Sequence, residues 1–264
     1  MSTMRLYLTI LVFFLATSAS ASKYAATVIN AKTGEILFSD AADRRLHPAG
    51  LTKLMTLYVV FNAVENGEFD LDDKVLVSRR AASEPPVKMG LRYDQNVRLR
   101  YLIRAVGVHG SNDASTALAE FVGGTEKAFA ERMNKTAKEL NMLRSTFKNA
   151  HGITKSGHLS SSTDMAVLMK ALHDDFPDYF NLFGRRSTYI GIKDAKHSGR
   201  KLLSSDDRIL GAKTGYTRAA GYNGLTYSVS GSKKIITVVF GGRSKTTRNA
   251  QIKRLNDLGF SKAN

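Results

Sequence analysis

Three short runs in this chain combine residue types that can move a proton and hold a polar ligand. They are Pro48-Ala49-Gly50-Leu51-Thr52-Lys53, Gly110-Ser111-Asn112-Asp113 and Ala212-Lys213-Thr214-Gly215. The apolar pattern after Gly50 predicts a helix buried on most sides, and a lysine three positions on lies on the same helical face. Burial lowers the pKa of an amine, because the charged form loses its hydration, so Lys53 can be neutral and basic near pH 7. The first run therefore predicts a buried lysine about one helical turn after a residue without a side chain.

In order and spacing, the three runs resemble the S-x-x-K, S-x-N and K-T-G motifs of serine penicillin-recognising enzymes. The D-alanyl-D-alanine carboxypeptidase branch is the most similar, because residues 81–86, 150–153 and 213–217 also match runs of that family. The likeness extends over residues 24–260. It implies the fold shared by penicillin-binding proteins and serine β-lactamases.

The resemblance also implies a role for each matching residue. In the family, a serine at the helix start attacks the carbonyl between two D-alanines. Lys53 would be the general base, and Asn112 would hold the substrate amide. The K-T-G strand, with Gly215, would pair with the substrate backbone while Lys213 and Thr214 attract its terminal carboxylate. Arg248 is a weaker candidate for that carboxylate, since a solvated helix charge explains it at least as well. The resemblance implies no metal and no organic cofactor.

Two hydroxyl groups that the family uses are missing. Gly50 stands at the nucleophile position, and Gly110 stands at the first serine of S-x-N. Ser111 is one place off, and Thr52 points roughly 200° away from position 50 around the helix. We therefore expect that acyl-enzyme hydrolysis is impaired while the substrate is still recognised. A water activated by Lys53 is the remaining route to hydrolysis, at a rate lower by orders of magnitude.

An intact S-x-x-K spacing occurs at four other places. They are Ser20 to Lys23, Ser145 to Lys148, Ser198 to Lys201 and Ser230 to Lys233. The first spans an expected cleavage site, and the second is predicted to be a strand, in which positions i and i+3 face opposite ways. In the third, the serine is followed directly by Gly199, which disfavours a helix, and the fourth lies in a turn. None is predicted to carry the nucleophile, and a second Lys-Thr-Gly at residues 32–34 is predicted to be a hairpin turn.

The predicted elements place these runs in one α+β domain. Strand patterns begin and end the mature chain, at residues 24–30, 35–39, 222–230 and 235–240. Helical patterns lie mainly between them, at residues 51–64, 100–108, 113–122, 125–140, 162–174 and 245–258. This order predicts an antiparallel sheet built from N- and C-terminal strands and packed against a mostly helical middle. Residues 22–264 are predicted to form a single domain, without the second β-domain and membrane-binding helix of many relatives.

Residues 1–21 are typical of a signal peptide. Arg5 precedes an apolar run over residues 6–15, and Ala19 and Ala21 fit the small-residue cleavage positions. The apolar run is shorter than the roughly 20 residues that span a bilayer. We therefore expect an exported protein of the periplasm or cell envelope.

The amino-acid composition limits the chemistry and the binding partners that we expect of this protein. The 264 residues include 39 Lys and Arg, 23 Asp and Glu and no cysteine, for a net charge of +16. The absence of cysteine excludes disulfides, thiolate metal sites and thiol catalysis. A basic exported protein is expected to meet anionic wall polymer or a membrane surface rather than nucleic acid.

Three functions remain to be compared. The leading hypothesis is an exported protein that binds peptidoglycan stem peptides ending in D-Ala-D-Ala and is catalytically impaired. The alternatives are a scaffold or regulatory envelope protein that binds no peptide, or an altered sequence of an active carboxypeptidase. Two separate losses of serine at matched positions favour natural decay. A β-lactamase is disfavoured because it needs the same missing serine.

Overall fold

The computed structural model describes residues 24–263. Its strands are β1 (Ala25–Asn30), β2 (Ile36–Asp40), β3 (Lys74–Leu76), β4 (Asn96–Arg98), β5 (Ser187–Tyr189), β6 (Asp194–Lys196), β7 (Ile209–Thr217), β8 (Gly221–Ser230) and β9 (Lys233–Gly242). Its helices are α1 (Thr52–Glu65), α2 (Arg79–Ser83), α3 (Leu99–Arg104), α4 (Asn112–Gly123), α5 (Glu126–Glu139), α6 (Ser162–Asp175), α7 (Pro177–Phe180), α8 (Arg200–Leu203) and α9 (Lys245–Lys262). A 3₁₀ turn (Ala49–Leu51) precedes α1, and a π-helical segment (Ala105–His109) continues α3. The predicted signal peptide lies outside the described residues.

The main sheet joins the two ends of the described chain. Its strand order is β2-β1-β9-β8-β7, and each neighbouring pair is antiparallel. The predicted α+β class is confirmed, because β1 and β2 extend a sheet whose other strands come from the C-terminal part of the chain.

Side chains that alternate along the strands bury both faces of this sheet. On β1, Ala26 and Val28 share a core with Ile252 of α9, whereas Ala25 and Ile29 belong to the larger core of the helical middle. Helix α1 belongs to that larger core, and all its residues except Asn62, Val64 and Glu65 are buried. The first turn of α1 is thereby held between the sheet and the helices, where the cleft opens.

The structure differs from the sequence prediction in its short elements. Residues 145–148 are not a strand, because Thr146 makes only an isolated bridge with Leu159 and Ser145 hydrogen-bonds to Asp164. The two-stranded sheets β3–β4 and β5–β6 were not predicted, since strands of three residues are too short to show a period. The predicted turn at residues 32–34 is confirmed, with Gly34 at φ +80°. No helix within residues 24–263 is long and apolar enough to cross a membrane.

Candidate active site

A cleft of about 590 Å³ lies where the start of α1, the start of α4, the end of β7 and the start of α9 meet. Most of the predicted site residues line it: Gly50, Lys53, Gly110, Asn112, Thr214, Gly215 and Arg248. They come from distant parts of the chain, so the fold alone brings them together. Lys213 is the exception, since it lies beneath the cleft wall.

Lys53 is almost completely buried in the first turn of α1, with 3% of its surface exposed. Its Nζ donates hydrogen bonds to Asn112 Oδ1 at 2.8 Å and to the His151 carbonyl oxygen at 2.6 Å. Burial lowers the pKa of Lys53 to about 7, against the opposing charges of Glu84 and Asp113. A substantial fraction of Lys53 is therefore neutral near pH 7 and able to accept a proton.

Asn112 and Asp113 tie α4 to the loop on the rim of the cleft. The Asn112 side-chain amide donates to the carbonyl oxygens of Pro85 and Pro86 at 2.9 and 3.1 Å. The Asp113 carboxylate accepts the backbone N–H groups of residues 89–91 at 2.9 to 3.1 Å. Asn112 Oδ1 thus has one acceptor site taken by Lys53 and a second acceptor site left for a ligand donor.

The K-T-G run lies on β7, and its residues are located partly in the cleft and partly in the core. Thr214 and Gly215 line the cleft, whereas Lys213 is fully buried. Lys213 Nζ donates to the carbonyl oxygen of Gly107 at 2.7 Å and to that of Val106. Burial, and then the charge of Lys53, hold the pKa of Lys213 well below its ordinary value. Lys213 therefore joins the sheet to the π-helical segment instead of presenting its amine to the cleft.

The space beside Gly50 is closed by the K-T-G backbone. A Cβ atom built on Gly50 would lie 2.9 Å from the Thr214 carbonyl oxygen and 3.1 Å from Gly215 Cα. A Cβ atom on Gly215 would in turn lie 2.3 Å from Gly50 N. These two glycines therefore allow β7 and the 3₁₀ turn to approach more closely than any larger residue would permit.

Gly110 has a conformation that suits glycine. It follows the π-helical segment at φ +84°, and its N–H donates to the Ala105 carbonyl oxygen at 2.8 Å. A left-handed residue at a helix end is usually glycine, because other L-residues are strained there. The position that carries the first serine of S-x-N in the family is thus a helix-terminating turn in this chain.

Neither neighbouring hydroxyl reaches the lost positions. Ser111 is fully buried, and its Oγ is hydrogen-bonded to His109 Nδ1 at 2.9 Å. Thr52 is also fully buried, with its Oγ1 hydrogen-bonded to His158 Nε2 at 2.8 Å. Neither of these two residues lines the cleft.

Arg248 provides a cation at the α9 end of the cleft. Only 6% of it is exposed, and its guanidinium donates to the Asn223 carbonyl oxygen at 3.2 Å and to Asn249 Oδ1 at 2.7 Å. Burial lowers the pKa of Arg248 to about 10, so it remains charged at neutral pH. Gly224 makes room for it, because a Cβ atom there would lie 2.6 Å from Arg248 Cδ. The alternative interpretation of Arg248 as a solvated charge on a helix surface is therefore wrong, because its guanidinium is buried and fixed.

The comparisons with known proteins give a consistent result. A sequence profile of the D-alanyl-D-alanine carboxypeptidases, peptidase S11, matches residues 14–244. The chain belongs to this carboxypeptidase family. It is 33% identical over 240 residues to the D-alanyl-D-alanine carboxypeptidase DacF of Bacillus subtilis, covering 89% of this chain and 61% of DacF. It is 34% identical over 240 residues to DacA of Escherichia coli, covering 88% of this chain and 59% of DacA.

Solved structures agree with the sequence relatives. Penicillin-binding protein 5 of Haemophilus influenzae superimposes with a TM-score of 0.84 at 29% identity, covering 90% of this chain and 70% of that one. The chain spans about three-fifths of the length of the curated carboxypeptidases that it matches.

Sequence reasoning missed several residues that line the cleft of this carboxypeptidase-family chain. Tyr216 and Tyr222 form an aromatic pair at its mouth, with ring centroids 4.3 Å apart. They are register partners on the antiparallel strands β7 and β8, a pairing that the sequence analysis did not predict. Ser198 also lines the cleft. The sequence singled it out only as part of an S-x-x-K spacing, and nothing local shows that its loop packs against the turn at Gly110.

Proposed function

We propose that this chain is an exported protein that binds the D-Ala-D-Ala end of peptidoglycan stem peptides and has lost acyl-enzyme turnover. The proposal rests on a difference between the binding groups and the nucleophile position of the cleft. The polar side chains that could bind a peptide are present, whereas position 50 has no side-chain oxygen and the Thr214 carbonyl closes the space beside it. A glycine cannot form an acyl-enzyme.

The binding half of the proposal rests on an electrostatic match. A peptide that ends in D-alanine brings one carboxylate, and Arg248 offers a charged guanidinium that is already fixed by two neighbours. Fixed, partly desolvated donors bind a carboxylate more strongly than mobile surface lysines do. Thr214 and Asn112 add neutral groups along the same cleft. The K-T-G edge of β7 can pair with an extended peptide backbone.

Calorimetry with a synthetic peptide ending in D-Ala-D-Ala tests the binding. We expect heat of binding with this peptide and little with its L-Ala-L-Ala isomer. The variant Arg248→Gln should weaken binding about 10-fold or more, as loss of a charged hydrogen bond does. Lys253→Gln is the matched control, because it removes one exposed positive charge from the same helix.

Fluorescent penicillin tests the loss of turnover. The protein should remain unlabelled, and stoichiometric labelling would contradict the proposal. Absence of any heat with the D-Ala-D-Ala peptide would instead favour the scaffold alternative, in which no peptide is bound. The close approach of β7 at position 50 and the positive φ at position 110 both suit glycine, and they support natural decay over an altered sequence of an active enzyme.

Export and surface binding complete the proposal. We propose cleavage after Ala21 and a periplasmic or envelope location, which N-terminal sequencing of the protein recovered from cells would test. The net charge of +16 supports attraction to anionic wall polymer or membrane surface. Such binding should weaken steeply with salt, and cosedimentation with purified wall material or anionic vesicles would measure it.

A further inference from the structure

Ser198 brings a hydroxyl group close to the position that lacks one. It lies in the loop between β6 and α8, and its exposed side chain faces the cleft. A Cβ atom built on Gly110 would lie 3.6 Å from Ser198 Oγ and 3.7 Å from Ser198 Cβ. A hydroxyl group carried at position 110 would therefore occupy the region that the Ser198 hydroxyl already borders.

The loop that carries Ser198 is fixed on both sides. Ser198 N–H donates to the Val108 carbonyl oxygen at 2.9 Å, next to the π-helical turn that ends at Gly110. Gly199 packs against β7, since a Cβ atom there would lie 3.3 Å from Thr214 Cγ2. The buried His197 accepts the Gly199 N–H at 2.9 Å through Nδ1 and holds the turn. Ser198 is thus held between the second and third motifs.

The hydroxyl group of Ser198 is available to a ligand. Within residues 24–263 its Oγ has no hydrogen-bond partner. The serine next to Gly110 in sequence, Ser111, is by contrast fully buried and bonded to His109. Of these two serines, only Ser198 offers an oxygen to the cleft.

We propose that Ser198 supplies, from a different loop, the hydroxyl group that Gly110 lacks, and that it hydrogen-bonds the bound peptide beside Asn112 and Thr214. The identity of the ligand rests on the proposed function. The position of the hydroxyl rests only on the geometry of the cleft. A serine hydroxyl both donates and accepts, which suits a group that faces an amide nitrogen in the peptide and passes a proton in a reacting complex.

Every proton can be accounted for in the reaction of a penicillin with the variant Gly50→Ser, which restores the nucleophile. The introduced oxygen bonds to the carbonyl carbon of a penicillin, and its proton passes to the neutral amine of Lys53. As the carbonyl carbon–nitrogen bond breaks, the nitrogen takes the proton of the Ser198 hydroxyl. That hydroxyl then takes the proton held by Lys53, so both groups end in their starting states.

The first test is peptide binding by the chain as it stands. Ser198→Ala should weaken binding of the D-Ala-D-Ala peptide by roughly 3- to 10-fold, as loss of one hydrogen bond does. Ser198→Thr keeps the hydroxyl and should restore most of the affinity. Ser204→Ala is the matched control, because it removes an exposed hydroxyl from the end of α8 outside the cleft.

The second test is the rate of labelling by fluorescent penicillin in the Gly50→Ser background. Gly50→Ser alone should be labelled once β7 has moved by the few tenths of an ångström that a Cβ atom at position 50 requires. Addition of Ser198→Ala should slow labelling by about 10-fold or more, because a positioned proton-transfer group typically contributes about 10²- to 10⁴-fold. Addition of Gly110→Ser should give no gain, since Ser198 already provides the hydroxyl.

The two tests separate this inference from the proposed function. Binding that Ser198→Ala leaves unchanged would overturn the inference and leave the function standing. If the unaltered chain binds no peptide, the proposed function fails, and the labelling rates still decide the role of Ser198. Labelling that requires Gly110→Ser would overturn the inference, and absence of both binding and labelling in every variant would overturn both.

Discussion

Gly50→Ala is expected to destabilise the protein, although it replaces glycine by a residue with better backbone propensity. The new Cβ would lie 2.9 Å from the Thr214 carbonyl oxygen and 3.1 Å from Gly215 Cα, both shorter than ordinary contact. Strand β7 must therefore move by a few tenths of an ångström. Overpacking of this kind costs about 1–3 kcal/mol.

An opposing gain must be subtracted from that cost. Gly50 does not have a positive φ, so alanine fits its backbone and gains about 0.4–1 kcal/mol from a less flexible unfolded chain. The net loss in free energy of unfolding is then about 1.3 kcal/mol, within a range of about 0 to 2.6 kcal/mol. For a chain of this size, each kcal/mol corresponds to a fall in Tm of roughly 2–4 °C.

Gly107→Ala is the matched control. Its Cβ would meet Leu182 Cβ at 3.5 Å and Leu57 Cδ1 at 3.6 Å, which are ordinary contacts. Since Gly107 lies in a helical segment, this variant should be neutral or more stable by up to about 1 kcal/mol. Urea unfolding measures the change in free energy of unfolding of each variant, and we expect a loss for Gly50→Ala and no loss for Gly107→Ala. A Gly50→Ala protein at least as stable as the unaltered chain would refute the closed geometry beside position 50.

Three further predictions concern the same cleft. Lys53 is buried with a pKa of about 7, below its value in the unfolded chain, so the unfolded state binds more protons between about pH 7 and 10.5. Stability should therefore rise across that interval by up to about 1.4 kcal/mol per pH unit relative to Lys53→Met, and equal slopes in urea unfolding would contradict this. Gly224→Ala should displace the Arg248 side chain, whose Cδ lies 2.6 Å from the new Cβ, and weaken peptide binding in calorimetry about as much as Arg248→Gln does. Gly110→Ala should lower the free energy of unfolding by about 1–2 kcal/mol because of the φ of +84°, and an unchanged Tm would show that the turn adapts.

The long elements could be predicted from the sequence because their periods are long enough to recognise. The apolar run after Gly50 indicated α1, and the patterns at both ends of the chain indicated the antiparallel sheet. The order of the three motifs also indicated that Lys53, Asn112 and Thr214 would meet, and the structure brings them to one cleft.

The parts that could not be predicted depend on contacts between distant residues. Lys213 was expected to face a ligand, but its place beneath the cleft follows from carbonyl oxygens more than 100 positions earlier in the chain. Burial of Arg248 depends on Gly224 in a neighbouring strand, so its own helix pattern gave no indication. Ser198 reaches the cleft because its loop packs against the turn at Gly110. No hydrophobic pattern in the sequence indicates this contact.

The position of Lys213 changes how a K-T-G motif should be interpreted in a sequence of this family. Its amine hydrogen-bonds from strand β7 to two carbonyl oxygens of the π-helical segment, and so links the sheet to the helical part of the fold. Substitution of this lysine would damage the architecture even in a protein that catalyses nothing. The lysine of a K-T-G motif can therefore have a structural role, so the motif alone does not establish catalysis.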